Sequence, residues 1–182
     1  RLPACPPARL PACPSIFVPR MLRTAPSARH TRLDLLDPAE IARLGGVEIP
    51  GSPCLIGHSD ADCLLHAVAD ALLGAAGLDD IGEHFPDTDP DYKDADSAAL
   101  LERVAGMVAH AGYRIVNVDA TVMAERPRLA PHRGAMRARM GTILGLDADA
   151  VSVKFGTLEG LGALGRGEGI ACQAVCLLEE LR

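Results

Sequence analysis

From Leu35 onward, apolar and polar positions alternate with two periods, and each stretch can be assigned by the period it keeps. The segment "IARLGGVEIPG" predicts a short strand and turn, and "DADCLLHAVADALLGAAG" predicts a helix, rich in Ala and Leu and closed by Gly77. A long polar loop, "LDDIGEHFPDTDPDYKDAD", separates it from a second helix, "SAALLERVAGMVAHAG", with Ser97 as N-cap and Gly112 at its end. Then "YRIVNVDATVMA" alternates as a strand, and "APHRGAMRARMGTILG" is helical with Pro131 near its first turn. "AVSVKFGT" and "GIACQAVCLLEEL" complete the pattern as strands. Strands alternating with helices predict an α/β fold, an α+β sandwich in which a mixed sheet carries its helices on one face.

Composition narrows this picture. A chain of 182 residues with 48% apolar positions suits one domain with a real core. With no Trp, three Phe and two Tyr, that core is built from Leu, Val, Ala and Ile, and few rings are free to stack on bases. The formal charge of -6 also argues against a nucleic-acid partner. No apolar run is long enough for a membrane span, so a soluble protein without a membrane partner is expected. Residues 1–33 differ from the rest: they contain no acidic residue, many Arg and Pro, and the near-duplication RLPACPPA/RLPACPSI. This reads as a disordered extension, transit-like or lying upstream of a start at Met21, ahead of a domain over 34–182. The location expected is cytoplasmic if the source is bacterial, and plastid if the segment is a transit peptide. Cys172 and Cys176, evenly spaced in a strand, share one face and are expected to be buried, reduced thiols.

Three stretches carry candidate chemistry. On a helix starting near Asp62, residues Asp62, His66 and Asp70 fall on one stripe, so neighbouring carboxylates could hold and aim a metal-binding imidazole. His58 and Ser59 precede that helix, where free amides favour an anion. A capped helix with an ordinary polar face has the same spacing. The loop "DDIGEHFPDTDP" can hold sugar hydroxyls or a cation, or be a solvated acidic loop. The glycine-rich "VKFGTLEGLGALGRGEG" sets Thr157, Glu159 and Arg166 among residues that allow close approach of a phosphate; a hairpin with flexible turns would look alike.

In order along the chain, "LGGVEIP", "GHSDADCLLHAVADALLGAAGLDDIGEHFPDTDP", "ADS", "ERPRLAPH" and "GRGEGIA" closely resemble the 2-C-methyl-D-erythritol 2,4-cyclodiphosphate synthase family, over about Leu44 to Leu181. The resemblance implies a homotrimer with active sites between neighbouring subunits. It implies a phosphorus-oxygen lyase of the non-mevalonate isoprenoid pathway, which turns 4-diphosphocytidyl-2-C-methyl-D-erythritol 2-phosphate into the cyclodiphosphate and releases CMP. It also implies Zn2+, or a similar divalent ion, together with Mg2+ or Mn2+.

Position by position, the resemblance gives His66 and Asp34 as zinc ligands and Glu159 as the ligand of the second ion. His58 and Thr157 match the transition-state stabilisers, and Ser59 helps to place the attacking phosphate. Asp80, Ile81, Gly82, Phe85, Pro86, Asp87, Thr88 and Asp89 match the loop contacting the methylerythritol and phosphates. Ala124, Arg128, Leu129 and Ala130 match the cytosine pocket; Gly156, Leu158, Ala163 and Arg166 complete the substrate contacts. Two departures stand out. The family's Gly-aromatic-Asp-x-His motif reads "RLDLLDPAE" here, so Leu36 stands where a zinc-binding His belongs, and "FGTLEG" replaces Ala-Thr-Thr-Thr-Glu, with Gly156 and Leu158 each removing a hydroxyl. A non-catalytic trimeric relative lacking the N-terminal zinc ligands is the alternative expectation.

Overall fold

The computed structural model describes residues 21–34, 42–52, 54–56 and 59–181. In chain order its elements are β1 (Leu22–Arg23), β2 (Pro26–Asp34), β3 (Arg43–Leu44), β4 (Val47–Glu48), β5 (Cys54–Ile56), α1 (Cys63–Ala76), α2 (Ile81–His84), α3 (Ser97–His110), β6 (Tyr113–Met123), α4 (Arg133–Leu144), β7 (Val151–Gly156), α5 (Gly162–Gly165) and β8 (Gly169–Glu180). The main sheet runs β5-β2-β8-β6-β7, with β1 also paired to β8, while β3 and β4 form a separate hairpin. Among the described residues only β6 and β7 in this sheet pair in parallel, so the sheet is mixed, as the pattern predicts.

Period-two alternation decides which face is covered. Along β8, Cys172, Ala174, Cys176 and Leu178 are buried under the helices, whereas Gln173 and Val175 are exposed on the other face. Helix α1 lies on the covered face. The Cys63 Sγ sits 3.2 Å from the Cys172 Sγ, and the Cys176 Sγ donates to the Ala71 carbonyl at 3.2 Å. All three thiols are free and buried, as expected for the two in β8. Leu64, Leu65, Leu72 and Leu73 are fully buried, each contributing roughly 2 kcal/mol of apolar burial. Only His66, Asp70 and Gly74 on this helix are not buried, and they repeat every four residues. The polar stripe expected from the sequence is therefore present one turn along, with Asp62 buried at its base.

Two expectations need correction. The composition change predicts a folded unit starting at residue 34, but β1 and β2 bring residues 22–34 into the sheet, with Ala28 opposite Gln173 and Arg32 opposite Gly169. Pro26 starts β2, the position where a missing N–H is tolerated, and beyond it the Ser27 Oγ donates to the Ala67 carbonyl while Arg29 pairs with Asp70. Residues 1–20 of the expected extension lie outside the described residues. Ser97, expected to cap α3, is instead its first helical residue, because Asp96 caps it by accepting from the Ala98 amide at 2.9 Å. The helix ends with Ala111 as its C-cap, one residue before Gly112. Among the described residues no helix is long and apolar enough to cross a membrane.

Candidate active site

The start of α1 is built around Asp62. Its Oδ1 accepts from the amides of Gly45 (2.9 Å), Leu64 (3.2 Å) and Leu65 (3.0 Å), and its Oδ2 from Gly46 (2.6 Å). An N-cap aspartate satisfies helix amides that have no partner in the helix itself; here it also binds the β3–β4 turn to the helix. The turn needs glycine, since Gly45 has φ +63° and a Cβ there would stand 3.0 Å from the Met136 Cγ. Burial pushes the Asp62 carboxyl up to about 6, opposed by the Gly46, Leu65 and Gly45 amides.

One turn along, His66 is held by hydroxyls rather than by the carboxylates expected from its spacing. Its Nε2 lies 2.9 Å from the Ser97 Oγ and 3.3 Å from the Ser59 Oγ. The Ser97 Oγ also donates to the Asp60 Oδ1, and the Ser97 amide donates to the Asp60 Oδ2 at 3.2 Å. Asp62 is occupied with capping. Asp70 is bound by Arg29 and by the Ile81 amide at 2.9 Å, and so anchors α2 instead. Burial lowers the His66 imidazole below its ordinary value, aided by Arg29 and opposed by Asp60 and Asp70. Neither Asp60 nor Ser97 was among the expected site residues. The sequence pointer to Ser97 is the "ADS" stretch, in which Asp96 takes the cap and frees the Ser97 hydroxyl, and Asp60 lies in the "GHSDAD" stretch itself.

The acidic loop uses its carboxylates locally. Asp80 caps α2 by accepting from the Gly82 (2.7 Å) and Glu83 (3.3 Å) amides, and Asp89 accepts from the Asp91 amide at 3.0 Å to start a single helical turn, Pro90–Tyr92. Ile81 is buried; Phe85 is also buried, edge-on to Tyr92 with centroids 5.4 Å apart and with Arg103 above its ring. Pro86 and Asp89 are half-buried, while Gly82, Asp87 and Thr88 are exposed.

Two further loops meet beyond the sheet. Because β6 and β7 pair in parallel and end together, with Met123 opposite Gly156, the chain after each enters the same region. The Ala124 amide donates to the Gly156 carbonyl at 3.0 Å, the Leu158 amide to Glu125 at 3.3 Å, and the Arg126 Nη2 to the Gly167 carbonyl at 3.4 Å. Leu129 is buried, Ala124 and Leu158 are half-buried, and Arg128, Ala130, Gly156 and Ala163 are exposed. The Thr157 Oγ1 donates to Glu159 at 2.8 Å and the Arg166 Nε to Glu168 at 2.6 Å, all four residues being exposed. Glu159 has φ +51°, a left-handed conformation that non-glycine residues seldom adopt. Gly165 packs so tightly that a Cβ there would stand 2.4 Å from the Gly160 carbonyl carbon.

The register places these parts at one end of the sheet. Cys63, the first residue of α1, touches Cys172, which pairs with Val122, one residue before β6 ends. The same end receives the last residue of β2, Asp34, two positions after Arg32 pairs with Gly169. His58 and Leu36 lie outside the described residues. Among the described residues no three His, Cys, Asp or Glu side chains converge on a point. His66 nevertheless fits one ligand of a divalent ion, because burial favours its neutral form and a hydroxyl partner holds one ring nitrogen. Glu159, a single exposed carboxylate, fits an ion of the magnesium type, which relies on one or two carboxylates plus substrate phosphates.

Residues 33–179 match the model of the YgbB family. The chain belongs to this family. A relative from Chromobacterium violaceum, named 2-C-methyl-D-erythritol 2,4-cyclodiphosphate synthase, is 61% identical over 137 residues, covering 75% of this chain and 87% of the relative. The bifunctional IspDF of Campylobacter jejuni superposes with a TM-score of 0.84 at 36% identity, over 90% of this chain and 43% of that longer one. IspF of Plasmodium falciparum, solved as a CDP complex, superposes with a TM-score of 0.77 at 32% identity, over 88% and 97% of the two chains. Both solved chains thus share the overall fold of this chain.

Proposed function

We propose that this chain converts 4-diphosphocytidyl-2-C-methyl-D-erythritol 2-phosphate to 2-C-methyl-D-erythritol 2,4-cyclodiphosphate, as a phosphorus-oxygen lyase of non-mevalonate isoprenoid biosynthesis. A 2-phosphate oxygen forms a bond to the β-phosphorus, the bond from the β-phosphorus to the bridging oxygen breaks, and that oxygen leaves with the electron pair on the α-phosphate of CMP. The reaction needs no covalent intermediate, so the residues act by positioning and by electrostatics. What carries the reading is the 61% identity to a cyclodiphosphate synthase over 137 residues of this chain.

Ser59, with His58 before it, orients the attacking phosphate near the start of α1. Asp80 and the Ile81–Gly82 backbone hold the methylerythritol hydroxyls. Loop 124–130 reads the cytosine, with Arg128 toward the phosphates. Thr157 and Arg166 exchange their present carboxylate partners, Glu159 and Glu168, for phosphate oxygens. A zinc ion would be held by His66 and Asp34, and Mg2+ or Mn2+ by Glu159; when bound, they neutralise phosphate charge. Assembly as a trimer that places one subunit's loops against the next subunit's α1 accords with a sheet face left uncovered at Gln173 and Val175.

The test is CMP release by the purified chain with its cytidine-diphospho substrate, with bound zinc determined on the same sample. Release that requires a divalent ion supports the reading; a folded chain that releases no CMP with either ion refutes it. Gly165→Ala is expected to lower kcat/KM by about 10²-fold, the order expected for misplacing reacting groups by an ångström, because the new methyl must push the Gly160 backbone and the phosphate-facing loop aside. Urea unfolding should show a loss of only about 1–3 kcal/mol, as for overpacking at one site.

A further inference from the structure

His66 is surrounded by hydrogen-bonding groups whose hydrogens can be counted. The Ser97 hydroxyl has one hydrogen, and it is given to the Asp60 Oδ1. Asp60 is fixed in place: its Oδ2 accepts from the Ser97 amide at 3.2 Å, its Oδ1 from the Asp62 amide at 3.3 Å, and its own amide donates to the Ala95 carbonyl at 3.3 Å. With its hydrogen committed, the Ser97 Oγ can only accept from its other neighbour, the His66 Nε2 at 2.9 Å. The Ser59 Oγ lies farther off at 3.3 Å and accepts from the Ala61 amide at 3.4 Å; its hydroxyl can either donate to or accept from the ring, so the closer Ser97 oxygen, whose hydrogen is committed, sets the tautomer. Ser97 itself is buried, with 1% of its surface exposed, so water does not compete for its hydroxyl.

We propose that Ser97, with Asp60 behind it, is a positioning residue that fixes His66 as the Nε2–H tautomer and so keeps the Nδ1 lone pair for a ligand. A proton on Nε2 leaves the neutral ring's other nitrogen as its sole acceptor. The two-link chain, imidazole to hydroxyl to carboxylate, gives the orientation that a carboxylate directly on the ring gives elsewhere. This deepens the proposed function and rests on it as far as the ligand is a divalent ion facing substrate phosphates. The tautomer itself follows from the substrate-free geometry.

The test uses the full chain labelled with 15N in histidine, without substrate. Long-range 15N–1H spectra, with the His66 signals assigned by their loss in His66→Ala, report which ring nitrogen carries the proton. The expected result is a predominantly Nε2–H ring in the wild type and a shift toward Nδ1–H in Ser97→Ala, with the Nε2–H form restored in Ser97→Thr. Zinc affinity, measured by competition with a chelator, should fall about 10–100-fold in Ser97→Ala, the usual effect of losing such a partner. If Ser97→Ala does not fold, Asp60→Ala carries the same test: it frees the Ser97 hydrogen to bond to Nε2 and should turn the ring to Nδ1–H. A wild-type ring protonated on Nδ1, or a tautomer unchanged in the folded variant, overturns the assignment. CMP release on the same preparations separates the two readings, because a wild type that releases no CMP refutes the function while leaving the tautomer result intact.

Discussion

Asp62→Ala is expected to lower the unfolding free energy by about 3 kcal/mol or more, a large share of the stability of a domain this size. Losing an N-cap costs about 1 kcal/mol by itself. In addition, Asp62 accepts from Gly45 and Gly46 of the β3–β4 hairpin, and a buried amide left unpaired, as Gly45's would be, costs about 1–3 kcal/mol. The carboxylate is fully buried, so water cannot readily replace it. Asp62→Asn should lose less, because its oxygen can keep the Gly45, Leu64 and Leu65 contacts of Oδ1 while its NH2 faces only the Gly46 amide. Denaturant unfolding of the three proteins checks the order. A loss under 1 kcal/mol for Asp62→Ala would show that the hairpin does not depend on this carboxylate.

The same residue shows how far the sequence could be read. Apolar periodicity locates α1, α3, α4 and the strands β6, β7 and β8, because each buries a face whose spacing is written directly in its residues. It cannot say what Asp62 does, since one spacing serves both a ligand-holding stripe and a cap, and the deciding partners, Gly45 and Gly46, are 17 and 16 residues away. The upstream boundary is hidden in the sequence for a related reason. Arg and Pro made residues 1–33 look unfolded, yet β2 gains its order from Ala67, Asp70 and the backbone of β8, none of them local. Ser97 was legible as a helix start but not as a partner of His66, because only the packing of α3 beside α1 brings it within 2.9 Å. Thr157, Glu159 and Arg166 were legible together because one short loop carries them, whereas the meeting of that loop with 124–130 depends on the parallel pairing of β6 and β7.

His66→Ala should leave the fold intact and reduce CMP release about 10²–10³-fold, the loss typical when one preorganised electrostatic group is removed. The fold should survive because the ring's described contacts are to hydroxyls, not to the apolar core, and Ala is favoured inside a helix. Ser97 keeps its bond to Asp60 when the ring is gone, so no buried hydroxyl is left without an acceptor. Activity should suffer because no neighbour can replace the imidazole: Asp62 is held by four amides, Asp70 by Arg29 and the Ile81 amide, Asp60 by the Ser97 hydroxyl and the Ser97 and Asp62 amides, and the nearest other groups are hydroxyls, which bind divalent ions weakly. Circular dichroism and light scattering should therefore match the wild type, while zinc content and kcat fall together. Turnover within threefold of the wild type, in a chain of unchanged mass and helix content, would move the chemistry away from α1 and leave the Thr157–Glu159 loop to account for it.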